Sequence, residues 1–230
     1  NWKPGDPNKV KEELKMSLPE DLKLEEIPEN KKYRMVQYLL NTKDFKEEED
    51  YFPAQVFSTA ADWLEANVNN EPFFLWVDSF DPHEPWDPPK EYSDIYHEWE
   101  GVRDLEYWAQ EYRDLTDEEV ERVKALYFGL VTFVDKWIGH FLEKMKELQL
   151  MDDTIIMLVS DHGTQVMDHG KFGKSEKDLF PYNTQIIWTI RHPEGPSGKE
   201  IEKFVQPHDL LPTSLDLLNI PYKSLDGESV

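Results

Sequence analysis

A helical period running almost directly into an uninterrupted apolar run is the feature that most restricts how this chain can fold. Val120, Val123, Tyr127, Leu130, Val134, Ile138, Phe141, Met145 and Leu148 fall three or four residues apart, and Thr116-Asp117-Glu118-Glu119 ahead of them forms a Thr-x-x-Glu capping box. The apolar run Thr154–Ser160 that follows is short and bounded, as a buried strand would be. A long amphipathic helix leading into a buried strand points to an α/β layered domain. The same pattern recurs on both sides. Val56-Phe57, Ala60-Ala61, Trp63-Leu64 and Val68 have helical spacing, with Pro53 in the first turn and Asn69-Asn70 as a stop, and Pro72–Asp78 reads as a strand. Further strand and helix signals lie at Thr184–Ile190 and Asp209–Leu218. Strands separated by helices predict a mainly parallel central sheet flanked by helices.

Residues 1–52 lack this order. They are rich in Lys, Glu, Asp and Pro, with one apolar patch at Met35, Val36, Tyr38, Leu39 and Leu40, and read as a charged surface excursion ahead of a domain over residues 53–230. No apolar run approaches the roughly 20 residues of a membrane helix, so no membrane span is expected. With no cysteine in the sequence, disulfides and thiolate metal sites are excluded. A formal charge of −23 argues against nucleic acid or an anionic membrane as partner. Any anion must therefore be held by a locally basic stretch, and His162, His169, Lys171 and Lys174 form the densest one. Lys171 is the member that surface solvation alone explains.

The run Thr154–Val159 ends in Ser160-Asp161-His162-Gly163, and Asp168-His169-Gly170 echoes it. A carboxylate and an imidazole side by side at a strand end, followed by a glycine that permits a sharp turn, offer one oxygen and one nitrogen to a metal ion. Asp78-Ser79-Phe80-Asp81-Pro82-His83 closes the preceding predicted strand. In parallel sheets ligands gather at the carboxyl ends of strands, which places His83 and Asp161 at one pocket.

Taken in order, Leu126-Tyr127 to Val134-Asp135, Ile155–Gly163, His169-Gly170-Lys171-Phe172-Gly173-Lys174 and Asp209-Leu210-Leu211-Pro212-Thr213 closely resemble the sulfatase branch of the alkaline phosphatase superfamily, which also contains phosphonate monoester hydrolases. The resemblance runs from about Pro53 to Val230. It implies an alkaline-phosphatase-like fold and roles for particular residues. Asp161 and His162 match metal positions, and His169 and Lys174 match groups that hold sulfate oxygens. His83, in Pro82-His83-Glu84-Pro85-Trp86, matches a histidine at the substrate's ester group. It further implies one divalent metal, calcium, with manganese or zinc as alternatives because histidine admits softer ions than an all-oxygen shell does. The family's nucleophile is a formylglycine made within Cys-x-Pro-x-Arg or Ser-x-Pro-x-Arg, and this sequence contains neither. The chain thus reads as an internal or C-terminal part of a catalytic domain, inactive alone, whose nucleophile and two acidic metal ligands lie upstream. Phe180-Pro181-Tyr182-Asn183-Thr184-Gln185 stands where many relatives carry Tyr-Glu-Glu and Arg-x-Pro, a departure from their pattern.

Three functions are consistent with these features. The first is metal-dependent hydrolysis of a small-molecule sulfate monoester. The second is phosphonate or phosphate ester hydrolysis on the same fold, and the third is a degenerate domain that binds without catalysis. Tyr92, Tyr96, Trp99, Tyr107, Trp108 and Tyr112 form an aromatic insertion that either packs as a lid or stacks on a sugar or aryl group. Oligomeric state and cellular compartment leave no mark in the sequence.

Overall fold

The computed structural model describes Arg34, Tyr38 and residues 41–100, 114–174, 177 and 179–230. Met35, Val36, Leu39, Leu40, Tyr107, Trp108 and Tyr112 lie outside the described residues. The described chain forms two compact units, one ending at Leu150 but including Val166–Gly173, the other made of Met151–Gln165 and Lys174–Val230.

The first unit is built on two helices, α1 (Phe52–Asn67) and α3 (Asp117–Glu147), with the short helix α2 (Lys90–Ser93) between them in sequence. Its core is Ala54 and Phe57 of α1, Val123, Leu126, Leu130, Phe133, Val134 and Trp137 of α3, and Trp86 and Phe172 from outside the helices. Phe133 is wholly buried, and burying a side chain of this size contributes about 1.5–3 kcal/mol. The helix ends follow the expected chemistry. Thr116 Oγ1 accepts from the Glu119 amide at 3.3 Å, and the Glu119 carboxylate accepts from the Thr116 amide at 2.8 Å. At the other end of α3, Gln149 takes a left-handed φ of 59°, so that its amide reaches Lys146 O and that of Leu150 reaches Met145 O. Met145 and Leu150 are both buried beneath this turn.

α2 lies close against α3. A Cβ on Gly129 would stand 2.7 Å from the Ser93 amide nitrogen, so only glycine admits this approach. The buried Arg122 guanidinium secures it, donating to Asp94 Oδ1 at 3.0 Å, to the His97 carbonyl at 2.7 Å and to Ser93 Oγ at 3.0 Å. Lys136 bonds both carboxylate oxygens of Glu48 at 2.7 Å and the Tyr92 hydroxyl at 2.8 Å. Burial opposes ionisation of Glu48, but the hydrogen bonds from Lys136 and Tyr92 overcome it and hold its carboxyl below the usual range. Tyr92 packs edge-on against Phe133 at 5.0 Å, and the Tyr96 hydroxyl meets Thr132 Oγ1 at 2.7 Å. These two aromatics of the insertion therefore pack on α3.

In the second unit, β1 (Ile156–Val159) pairs with β4 (Trp188–Arg191), Met157 opposite Ile190 and Leu158 opposite Thr189. Between them come the short β2 (Gln165–Val166) and β3 (Phe172–Gly173), which pair with each other, and the single helical turn α4 (Pro181–Thr184). Helix α5 (Leu210–Leu217) follows, and its Ser214 hydroxyl contacts Met157 Sδ at 3.6 Å.

Three expectations are corrected. β1 and β4 run antiparallel, so the described strands form no parallel sheet. A parallel return needs a crossover, usually a helix packed on the sheet, and the described residues of this connection form a hairpin and one turn of helix. β4 also begins later than Thr184, because Pro181 starts α4 and the Thr184 hydroxyl donates back to the Phe180 carbonyl. Nor do residues 72–78 form a strand. Phe73, Leu75 and Val77 are half-buried, while Phe74 and Trp76 are 78% and 65% exposed, and no described residue completes a ladder with them. A short apolar run supplied the strand signal, but a strand also needs a neighbour for its amides and carbonyls.

Candidate functional site

In the second unit β1 delivers Ser160, Asp161 and His162 to a turn against α4. The Ser160 amide donates to the Ile187 carbonyl at 3.0 Å and its hydroxyl accepts from the Ile187 amide at 2.8 Å, fixing the strand's end. The Gly163 amide donates to the Asn183 carbonyl at 3.0 Å. Any Cβ at Gly163 would stand 2.1 Å from the Tyr182 carbonyl oxygen, which explains why the motif needs glycine here. Beyond this anchor the side chains face outward. His162 Nδ1 donates to the Gly163 carbonyl at 2.8 Å, so in the neutral ring Nε2 carries the lone pair. Nε2 lies 3.5 Å from Asp161 Oδ2, and the Asp161 side chain is 84% exposed. One oxygen and one nitrogen lone pair at this separation, with the second ring nitrogen held by a carbonyl, suit two ligands of a single divalent cation. Among the described residues no group of three His, Asp or Glu side chains surrounds a metal position.

In the first unit His83 stands on a turn anchored by Trp86. The Trp86 indole is buried, donates to the Pro82 carbonyl at 3.1 Å and packs on Tyr127 at 5.0 Å and edge-on to Phe172 at 5.9 Å. The His83 amide closes the turn onto the Phe80 carbonyl at 3.1 Å, and its ring stacks on Phe80 with centroids 4.2 Å apart. Asp81, half-buried beside it, has its carboxyl pushed up to about 7, by burial first and by the negative charge of Asp87 second.

His169 is exposed in the loop between β2 and β3. Left-handed φ values of 70° at both Met167 and Gly170 let the Met167 amide meet the Lys171 carbonyl at 2.9 Å. Phe172, three residues on, packs against Trp86, so the His83 turn and the His169 hairpin are parts of one packed unit. Lys174, half-buried, follows the hairpin and belongs with Asp161 and His162 to the second unit. Asp161 and His162 are thus adjacent, and His83 and His169 belong to one unit. Two features at these positions escaped sequence reasoning: the burial that perturbs Asp81, and the Glu84 carboxylate beside the His83 ring.

The sulfatase family profile matches residues 15–220. An arylsulfatase of Clostridium perfringens is 30% identical over 205 residues, which cover 80% of this chain and 42% of that protein. This chain belongs to the sulfatase family. It spans about two fifths of that relative's length. Among solved structures, the phosphonate monoester hydrolase of Agrobacterium radiobacter superposes with a TM-score of 0.64 at 23% identity, covering 80% of this chain and 42% of that one. A protein solved with its substrate D-glucosamine-2-N,6-O-disulfate gives a TM-score of 0.66 at 18% identity, covering 78% and 51%. These likenesses show a shared fold.

Proposed function

We propose that the protein hydrolyses a small-molecule sulfate monoester with the help of one divalent cation. Its nucleophile is a formylglycine carried by a part of the protein outside this chain. The reading rests on the family match across residues 15–220, and the outward-facing Asp161–His162 pair fits it. Asp161 Oδ2 and His162 Nε2 hold the cation, calcium, with manganese or zinc as alternatives that an oxygen–nitrogen pair admits. When bound, the cation withdraws charge from a sulfate oxygen.

In this reading His83, His169 and Lys174 are the side chains that act on the substrate. Lys174 and His169 donate to the sulfate oxygens, where negative charge grows as the ester bond breaks. His83 Nε2 delivers a proton to the departing alcohol oxygen, which keeps the electron pair of the broken bond. The phosphonate monoester hydrolases among the structural neighbours support a second reading, in which the same groups act on a phosphonate or phosphate ester.

The test is turnover of an aryl sulfate and an aryl phosphonate by the full-length protein. Sulfate preference is expected. Lys174→Ala should lower kcat on sulfate about 100-fold, the scale of losing one donor to a developing oxyanion. Chelation should abolish turnover and calcium should restore it. Preference for phosphonate would favour the second reading, and an unchanged rate in Lys174→Ala would remove Lys174 from the site.

A further inference from the structure

His83 and Phe80 form one face-to-face pair. Their ring centroids are 4.2 Å apart at an interplanar angle of 28°, and the His83 amide donates to the Phe80 carbonyl at 3.1 Å, closing the turn that carries both. The His83 Nδ1 proton goes to the Glu84 carbonyl at 2.6 Å, with Glu84 Oε2 3.1 Å from the same nitrogen. Nε2 is therefore the nitrogen left to meet a substrate oxygen. Phe80 is 70% exposed, so the stack covers only part of its ring. Tyr92 and Tyr96, the described aromatics of the insertion that a substrate ring could have used, are instead packed on Phe133 and Thr132 of α3. Phe74 and Trp76 are about as exposed as Phe80, but of the three it is Phe80 that stacks on His83.

We propose that Phe80 is a specificity-determining residue, the platform on which the alcohol part of the substrate rests, and that this alcohol carries a ring. This rests on the ester-hydrolase reading above, in which His83 Nε2 protonates the departing oxygen. An oxygen hydrogen-bonded to Nε2 at about 3 Å lies about 4 Å from the imidazole centre and about 6 Å from the centre of Phe80. The carbons attached to that oxygen come within reach of the Phe80 ring, inside the roughly 4.5–7 Å over which ring pairs attract. A ring with a flat apolar face gains most there, whether it is aromatic or the C–H face of a sugar. A short acyclic alcohol has nothing to lay on it.

Sulfates of three primary alcohols test this in the full-length protein: ethyl sulfate, phenethyl sulfate, and glucose sulfated at its primary hydroxyl. Their leaving oxygens are alike, so they differ in what they lay against Phe80. The wild type should favour one of the two ring-bearing esters over ethyl sulfate by about tenfold in kcat/KM, and the favoured one tells an aromatic from a sugar ring. Phe80→Leu should lower kcat/KM on that ester about tenfold and on ethyl sulfate less than about twofold. Phe80→Trp, which keeps a flat face, should retain most of the activity. A merely structural Phe80 would change all three esters alike. Equal losses on all three, no wild-type preference for a ring, or a Phe80→Trp variant as poor as Phe80→Leu would each overturn the proposal. If the wild type turns over none of the three, the hydrolase reading fails, and proton spectra still decide the platform. Phenethyl alcohol or glucose should shift the Phe80 ring signals, and no shift with either would overturn it.

Discussion

Asp81 carries the sharpest consequence at the scale of single residues. Its carboxyl ordinarily titrates near 3.8 and here is pushed up to about 7, burial being the larger cause and Asp87 the smaller. A raised folded pKa means that the folded chain keeps a proton the unfolded chain has already lost. The stability this group contributes is therefore complete below about pH 4 and is lost as pH rises through 7. Asp81→Asn removes the titration, so the variant should gain on the wild type between pH 4.5 and 7.5. Urea midpoints at the two pH values measure this, and a constant difference would show that Asp81 ionises normally. Residue identity was the most legible level in the sequence. Asp161, His162, His83, His169 and Lys174 announce themselves by type and spacing, and Gly163 by the turn it permits. The Glu84 contact was hidden, because an acid beside a histidine in a proline-rich segment looks the same whether it faces the ring or the solvent.

The helices were read well at the scale of elements, because their causes are local. The capping box at Thr116, Pro53 in the first turn of α1, and the apolar stripe of α3 act within a few residues of themselves. Strand pairing was read poorly, since whether residues 72–78 become a strand depends on a neighbour far away in sequence. Helix ends were harder than starts because no glycine marks them. α3 closes on Gln149 with φ 59° and α5 on Asn219 with φ 53°, where the Ile220 amide reaches the Leu215 carbonyl. Asparagine tolerates this conformation better than glutamine, for which the left-handed region costs about 1–2 kcal/mol. Gln149→Gly should stabilise the chain by about 1 kcal/mol, visible as a higher urea midpoint. Asn219→Gly should change it less. A loss of stability in Gln149→Gly would mean that the glutamine side chain contributes more than its backbone strain costs.

Each of the two units takes chain from separate stretches of the sequence, which no local pattern could disclose. The chain completes α3, enters the second unit at Met151, returns for Val166–Gly173, and leaves again at Lys174. Phe172, the return's contribution to the first core, packs against Trp86 beneath the His83 turn. Order of synthesis therefore matters. A nascent chain that has emerged only as far as Gln165 holds α1, α3, Asp161 and His162, yet it lacks the ring that closes over Trp86. The His83 turn should remain loose on the ribosome until the hairpin follows. A chain ending at Gln165 should show Trp86 emission shifted to the red of that from one ending at Gly173, and should be cut by protease near Pro82.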